Sequence, residues 1–256
     1  MTDAAIVTED LTKTYDETTA VEALDLRIES GAVFGFLGPN GAGKTTTMRI
    51  LTTLTRPTSG TALVAGESIT DRESVTPHIG YLPENPPLYE ELTGREQLEY
   101  VAGLRDIPDE AAGDRIESLL ARFDLLDDAD KRIEAYSKGM RQKTGVIQAV
   151  LHEPDVVFLD EPTSGLDPRA ARTMRDTIAD LADREMTVFL STHILPVVDE
   201  LADRVGVLHE GRLVAEGSPE ELKRRAETGE ARSLEDAFLA VTTEDVGEAP
   251  PESAAE

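Results

Sequence analysis

Cysteine is absent from all 256 residues, and so is tryptophan. That excludes a disulfide scaffold, a thiolate zinc site and a cysteine nucleophile. Aromatic residues make up 4% of the chain against 39% hydrophobic, so the expected core is aliphatic, built from Val, Leu, Ile and Ala. No apolar run approaches the roughly 18 residues that a membrane span needs. The opening Met1-Thr2-Asp3-Ala4 lacks the basic-then-apolar pattern of a secretory leader, so a cytoplasmic location is expected. Lysine is scarce, six against 19 arginines, while Asp and Glu number 51 and set a net charge of −26. A free nucleic-acid binder needs a basic face, and that composition argues against one. An acidic, lysine-poor surface suits a salt-saturated cytoplasm, where abundant cations screen self-repulsion. A halophilic source is therefore expected, with an ordinary acidic protein as the plainer alternative.

The length allows one large α/β domain or two smaller ones. The first 37 residues alternate apolar and polar positions and end in the apolar run 33–37, which predicts three strands, the last one buried. A glycine-rich turn over 38–43 leads into a helix predicted over 45–54, ended by Pro57 and Gly60, and a short strand is expected at 63–64. From Thr93 to about Leu151 the period is helical. Thr93 and Glu96 make a capping box, and a second helix is predicted over 115–123. This block interrupts the α/β rhythm and reads as a helical insertion. Alternation then resumes with strand 156–159, helix 169–182, strand 187–190 and helix 195–201. A hairpin follows, 205–208 and 213–215, turned at Glu210-Gly211. Ser218 precedes Pro219, a helix start with proline at its first position. Residues 242–256 hold five acids and two prolines with almost nothing apolar, and a disordered tail is expected there.

Gly38-Pro39-Asn40-Gly41-Ala42-Gly43-Lys44-Thr45 fits G-x-x-x-x-G-K-[ST] and lies between a predicted strand and a predicted helix, the context this motif requires. Its glycines let backbone N–H groups close around phosphate oxygens, and the helix start adds a positive dipole end. Lys44 then reaches the β- and γ-phosphates, and the Thr45 hydroxyl ligates Mg²⁺. Val156-Val157-Phe158-Leu159-Asp160-Glu161 is an apolar strand ending in two carboxylates. A buried parallel strand delivers such residues to the carboxyl edge of its sheet, where ligands bind. Asp160 is placed to hold Mg²⁺ through a water, and Glu161 to polarise an attacking water. Taken alone, the string could equally be a strand followed by two solvated acids; the phosphate loop favours the chemical reading.

Together these motifs resemble the nucleotide-binding subunit of an ABC transporter over residues 1 to about 240. The resemblance implies an α/β P-loop fold with an N-terminal antiparallel β-subdomain, a mixed RecA-like core and a helical subdomain inserted at about 90–150. It implies one ATPase domain over 1–241, followed by the acidic tail 242–256. Five further elements match the family's. Tyr136-Ser137-Lys138-Gly139-Met140 resembles the signature L-S-G-G-Q, matching at Ser137 and Gly139 and departing at Tyr136, Lys138 and Met140. Ser137 is also the N-cap of an apolar-faced helix, which a plain capped helix would need as well. Ser164-Gly165-Leu166-Asp167 resembles the D-loop, and Asp167 equally suits a cap for the helix at Pro168. Ser191-Thr192-His193 resembles the H-loop, whose histidine contacts the γ-phosphate. Tyr15, 23 residues before Gly38, matches the aromatic that stacks on adenine, with a core aromatic as the alternative. Gly80-Tyr81-Leu82-Pro83-Glu84 falls at the Q-loop, where Glu84 replaces the glutamine that approaches Mg²⁺.

The resemblance implies ATP and Mg²⁺ as cofactors and hydrolysis of ATP as the reaction. The nucleotide would be held by Gly38 to Thr46, Tyr15 and, from a second subunit, Ser137, Gly139 and Asp167. The catalytic groups would be Lys44, Glu161 and His193, with Thr45, Glu84 and Asp160 toward the metal. A second ATPase subunit, identical or paralogous, and a separate transmembrane permease are implied as partners, with the chain on the inner face of the cell membrane. Residues 84–89 stand where the family docks a coupling helix, and their proline pair with exposed Leu88 and Tyr89 suits a rigid apolar wall. The strings YLPEN, YSKGMRQK and SLEDAFLAV resemble exporter-type ATPases for multidrug, polysaccharide or sodium systems. Two rivals are weaker. Soluble ABC-type ATPases of translation or repair carry two cassettes or a long coiled-coil insertion, and this chain has neither. A small-molecule kinase has no use for the signature or the D-loop.

Overall fold

The computed structural model describes residues 4–182, 186–226 and 238. The chain runs β1 (Ala4–Tyr15), β2 (Thr18–Glu29), β3 (Val33–Leu37), α1 (Lys44–Leu51), β4 (Ser59–Val64), β5 (Glu67–Ser68), α2 (Arg72–Val75), β6 (Ile79–Leu82), α3 (Gly94–Leu104), α4 (Asp109–Arg122), α5 (Lys138–Val150), β7 (Val156–Asp160), α6 (Pro168–Ala182), β8 (Thr187–Thr192), α7 (Leu195–Leu201), β9 (Arg204–His209), β10 (Arg212–Gly217) and α8 (Pro219–Ala226). The strands form two sheets. One is antiparallel, in the order β2-β1-β4-β5; the other is six-stranded, in the order β10-β9-β3-β8-β7-β6. In the second, β9, β3, β8, β7 and β6 are mutually parallel, and only β10 runs against its neighbour.

The burial patterns show why. Every residue of β3, β7 and β8 is buried, as a parallel strand covered on both faces must be. β2 instead alternates buried and exposed positions, with only one face packed. Between the sheets lies one apolar cluster that includes Ile6, Leu24, Met48 and Phe158. On the other face of the mixed sheet a second cluster joins Leu98, Ile116, Ile147 and Ile178, from α3, α4, α5 and α6, to Leu159 and Leu190. The core is not wholly aliphatic. Phe189 sits 5.2 Å from Phe36, 5.4 Å from Phe158 and 5.5 Å from Phe34, centroid to centroid. Four of the six phenylalanines are thus gathered on the fully buried strands of the mixed sheet.

Helix starts follow the local chemistry. The capping box at α3 is complete: the Thr93 hydroxyl accepts from Glu96 N and the Glu96 carboxylate accepts from Thr93 N. Ser218 and Glu221 make the same exchange at α8. α4 begins at Asp109, six residues before its expected start, because Asp109 and Glu110 favour a helix N-terminus although they contribute nothing to the apolar period. β5, α2 and β6 were not anticipated; four residues or fewer carry too little pattern to declare themselves. Residues 242–256 and most of the SLEDAFLAV string lie outside the described residues.

Candidate active site

β3, β8 and β7 are adjacent in the sheet and end at one edge, which brings together three segments far apart in sequence. The loop after β3 supplies Asn40, Gly41, Gly43, Lys44, Thr45 and Thr46, the end of β7 supplies Glu161, and the end of β8 supplies His193. With Ala20, Glu84 and Ser164 they line a cleft of about 330 Å³. The first turn of α1 opens into it and carries no acid, so the dipole end meets the cleft unopposed.

The loop backbone has little freedom. Gly43 stands at φ 106°, and a Cβ there would come within 2.2 Å of the Ala20 carbonyl oxygen. A Cβ at Gly38 would come within 2.4 Å of the Leu208 carbonyl oxygen. Both positions therefore require glycine. Lys44 Nζ folds back to donate to the carbonyl oxygens of Gly38 at 2.7 Å and Pro39 at 3.2 Å. Burial lowers the Lys44 pKa, while the charges of Glu161 and Asp160 oppose that shift.

Glu161 is 8% exposed and has φ 50°, an uncommon conformation for a side-chain-bearing residue. Its Oε1 lies 3.7 Å from Lys44 Nζ and 2.9 Å from His193 Nδ1. Its Oε2 accepts from the Thr192 hydroxyl at 3.2 Å, and that hydroxyl also accepts from Ile194 N at 3.1 Å. Asp160, 2% exposed, keeps an Oδ1 with no hydrogen-bond partner among the described residues. Burial raises its pKa, the neighbouring Thr45 and Ser191 hydroxyls pull the other way, and Glu161 and Glu84 add to the rise. A buried carboxylate oxygen without a donor, beside a threonine hydroxyl and a phosphate-shaped loop, is a fitting place for a divalent cation. No group of three His, Asp or Glu among the described residues could cage a metal by itself. Mg²⁺ asks for less, since it binds through one or two carboxylates with phosphate and water oxygens.

Other expected residues lie elsewhere. Tyr15 ends β1, is 43% exposed, and carries Lys13 Nζ 4.7 Å from its ring centroid; it does not line the cleft, and it is not a core aromatic. Gly38, Pro39 and Ala42 shape the loop from behind, Ala42 buried and accepting from Gly211 N through its carbonyl at 3.0 Å. Ser137 caps α5, accepting from Met140 N at 3.2 Å, and neither it nor Gly139 reaches the cleft of its own chain. Lys138 lies directly against Gly165, so the signature-like loop and the D-loop-like turn are neighbours. Asp167 caps α6 through Oδ1, which accepts from Arg169 N and Ala170 N at 3.0 Å each. Tyr136, where the signature has leucine, is buried, and its hydroxyl donates to Asp128 O at 2.8 Å. Leu88 is half-buried rather than exposed, while Tyr89 stands 52% exposed, edge-on to Tyr100.

Three neighbours of the cleft had no role assigned from sequence. Ala20 and Ser164 line it, and Thr192 is fully buried against Glu161. Nothing in the local pattern distinguishes Ala20, whose carbonyl matters only because Gly43 packs on it.

The family model for ABC transporter matches residues 21–164. The chain is 44% identical over 230 residues to the daunorubicin resistance ATP-binding protein DrrA3 of Streptomyces coeruleorubidus, covering 90% of this chain and 72% of that protein. It is 40% identical over 222 residues to the bacitracin transport ATP-binding protein BcrA of Bacillus licheniformis, covering 86% and 72%. Among solved structures, an ATP-binding subunit of an ABC transporter aligns at TM-score 0.83 and 30% identity over 93% of this chain and 99% of that one. The ADP conformation of MJ1267, an ATP-binding cassette of an ABC transporter, aligns at TM-score 0.81 over 96% and 100%; at 22% identity it speaks for the fold alone.

Proposed function

The chain belongs to the ABC transporter family of ATP-binding proteins, and on that footing we propose that it hydrolyses ATP to drive export through a separate membrane subunit. One observation carries the reading: Lys44, Asp160, Glu161 and His193 converge at one sheet edge around a glycine-built phosphate loop. The ATP phosphates lie along the loop and the start of α1, with Lys44 leaving its carbonyl partners for the β- and γ-oxygens. Thr45, Asp160 and Glu84 would hold Mg²⁺, which would supply charge neutralisation for the phosphates. Glu161 accepts a proton from water as the water oxygen bonds to the γ-phosphorus and the bond to the β–γ bridging oxygen breaks, leaving ADP and phosphate. His193 holds the Glu161 carboxylate and faces the γ-phosphate.

Ser137 and Gly139 lie outside their own chain's cleft, which supports completion of each site by a second ATPase subunit. In a closed two-fold pair, two ATP molecules then sit at the interface, and loss of the γ-phosphate lets the pair open. Tyr15, exposed at the end of β1, is offered to adenine. Export is favoured because two relatives are named for daunorubicin resistance and bacitracin transport. Among the described residues no helix is long and apolar enough to cross a membrane, which suits a peripheral subunit on the inner face. We also propose one catalytic domain over 1–241 with an acidic tail beyond it, and a halophilic source.

The test is recovery of tagged protein from its own solubilised membranes in high KCl, with Lys44→Ala as the inactive control for ATP hydrolysis. Co-purification of a polytopic membrane protein is the expected result. Recovery with cytoplasmic partners alone would favour a soluble ABC-type ATPase instead.

A further inference from the structure

Lys138 is the first residue of α5, directly after the Ser137 cap, and the first turn of that helix carries no acid. The free N–H groups there already make a positive pole, so a cation at this position is locally unfavourable. A compensating carboxylate should be easy to find, since acids outnumber bases by 51 to 25. Lys44, Lys131 and Lys223 each pair with one. Lys13 lies over the Tyr15 ring and donates to the Arg56 carbonyl at 2.9 Å. The Lys138 ammonium is exposed and has no ion pair or hydrogen bond among the described residues; Lys143, half-buried further along α5, is the other such lysine. The Lys138 side chain runs instead onto the D-loop-like turn. Gly165, at φ 65°, leaves the space, and a Cβ there would collide with Lys138 Nζ. Asp167, two residues on, is engaged with its own helix, its Oδ1 accepting from Arg169 N and Ala170 N at 3.0 Å each. Ser164, on the other side of Gly165, lines the nucleotide cleft. The ammonium is thus held over the turn that borders the cleft, without an anion.

We propose that the Lys138 ammonium pairs with the γ-phosphate of the ATP bound by the second ATPase subunit, as a cation delivered in trans to the shared site. The signature that residues 136–140 resemble has an uncharged glycine at this position, so the contact is a side-chain addition to whatever Ser137 and the loop backbone supply. A phosphate oxygen meeting an ammonium makes a charge-assisted hydrogen bond, stronger than one between neutral groups. ADP has no γ-phosphate, so the pairing lasts only until hydrolysis, and a closed pair of subunits loses two such contacts when both ATP molecules are consumed. The proposal rests on the shared-site reading, and it adds a residue that makes closure depend on the γ-phosphate.

The test uses the full chain carrying Glu161→Gln, so that ATP persists. Dimer dissociation constants are measured by sedimentation equilibrium with saturating ATP and Mg²⁺ at one fixed KCl concentration. Lys138→Met keeps the length of the side chain and removes its charge. It should raise the dimer dissociation constant about a hundredfold, tenfold for each of two contacts. Lys138→Arg restores the charge and should recover most of that loss. Binding of ATP in the chain's own cleft, read with trinitrophenyl-ATP at protein concentrations where the chain is monomeric, should be the same with Lys138 or Met at this position. Lys138 is exposed, so the melting temperature of the Met variant should match that of its parent. Equal dimerisation with Lys or Met overturns the role of Lys138 and leaves the shared site standing. Weakened ATP binding by the monomer, or a loss that Lys138→Arg does not recover, shows a local structural role and overturns the proposal as well. Failure of the Glu161→Gln chain to dimerise with Lys138 intact removes the shared-site reading and this proposal with it.

Discussion

Lys44 and Glu161 face each other across the cleft at 3.7 Å, Nζ to Oε1, with both side chains almost fully buried. The proposed phosphate-binding cation and the proposed base are thus paired with each other. ATP must separate them, since the γ-phosphate competes for the lysine. Glu161→Gln removes the charge but keeps the shape. ATP binding should persist, turnover should fall by at least about a hundredfold, and the protein should accumulate as a dimer with ATP and Mg²⁺ in size-exclusion chromatography. A variant that stays monomeric would contradict the shared-site arrangement.

Glu84 adds a carboxylate to a cleft that Glu161 already lines and behind which Asp160 is buried, and its charge is felt at both Lys44 and Asp160. Glu84→Gln should retain measurable ATP hydrolysis and its dependence on Mg²⁺. It should also tighten binding of Mg²⁺-free ATP by roughly severalfold, because one like charge near the phosphates is gone. Nucleotide titrations in EDTA read this directly. Complete loss of hydrolysis would mean that the carboxylate has a role beyond that of the glutamine it replaces.

Thr192 holds Glu161 from the side opposite His193. Thr192→Val keeps the volume and loses the hydroxyl. The expected result is a fall in kcat of about tenfold with KM for ATP little changed, and recovery in Thr192→Ser. A rise in KM with kcat intact would show that Thr192 serves binding instead.

His152 is pushed down to about 4 by burial and by the nearby charges of Arg105 and Arg115, and its Nε2 meets the Ile79 carbonyl at 2.9 Å. The unfolded chain takes up this proton near 6.5 and the folded chain does not. The stability it contributes is therefore complete above about pH 6.5 and is lost as pH falls toward 4. Melting temperatures measured across that window should drop more steeply for the wild type than for His152→Gln. Parallel curves would show that His152 does not set the acid sensitivity.

The charge of −26 bears on salt as well as on partners. If the surface is adapted to a salt-rich cytoplasm, the melting temperature should rise markedly between 0.1 M and about 3 M KCl as self-repulsion is screened. Equal stability in both would remove the halophile reading.

Much of the local structure could be read along the chain. The capping box at Thr93 works through side chains three residues apart and formed as expected, and the helix expected after Ser218 is capped by it, with Glu221 completing a second box. The helix over Leu195–Leu201 was placed to the residue. Misses came where pattern and structure separate: α4 starts on acids outside the apolar period, and β6 is too short to show one. At the site, the phosphate loop and the acidic end of β7 were legible because each is a contiguous string with its own mechanism. Ala20 and Thr192 were not, since each acts through a residue distant in sequence: Ala20 against Gly43, Thr192 against Glu161.

What the sequence determined by itself is therefore the chemistry offered: a glycine loop at positive φ, a lysine and threonine starting a helix, two carboxylates closing an apolar strand, and a charge balance hostile to nucleic acid. These depend on a few bonded neighbours or on composition, and need no fold to be stated. Only the tertiary structure decided what meets what. The order β9-β3-β8-β7 sets Lys44, Glu161 and His193 at one edge, and it also keeps Ser137 and Gly139 away from that cleft. It also set Arg105 against the Thr76 carbonyl, beside the apolar Leu82, Pro86 and Ala149. Strand order and groove walls arise from packing between residues far apart along the chain, and short-range patterns carry no record of that choice.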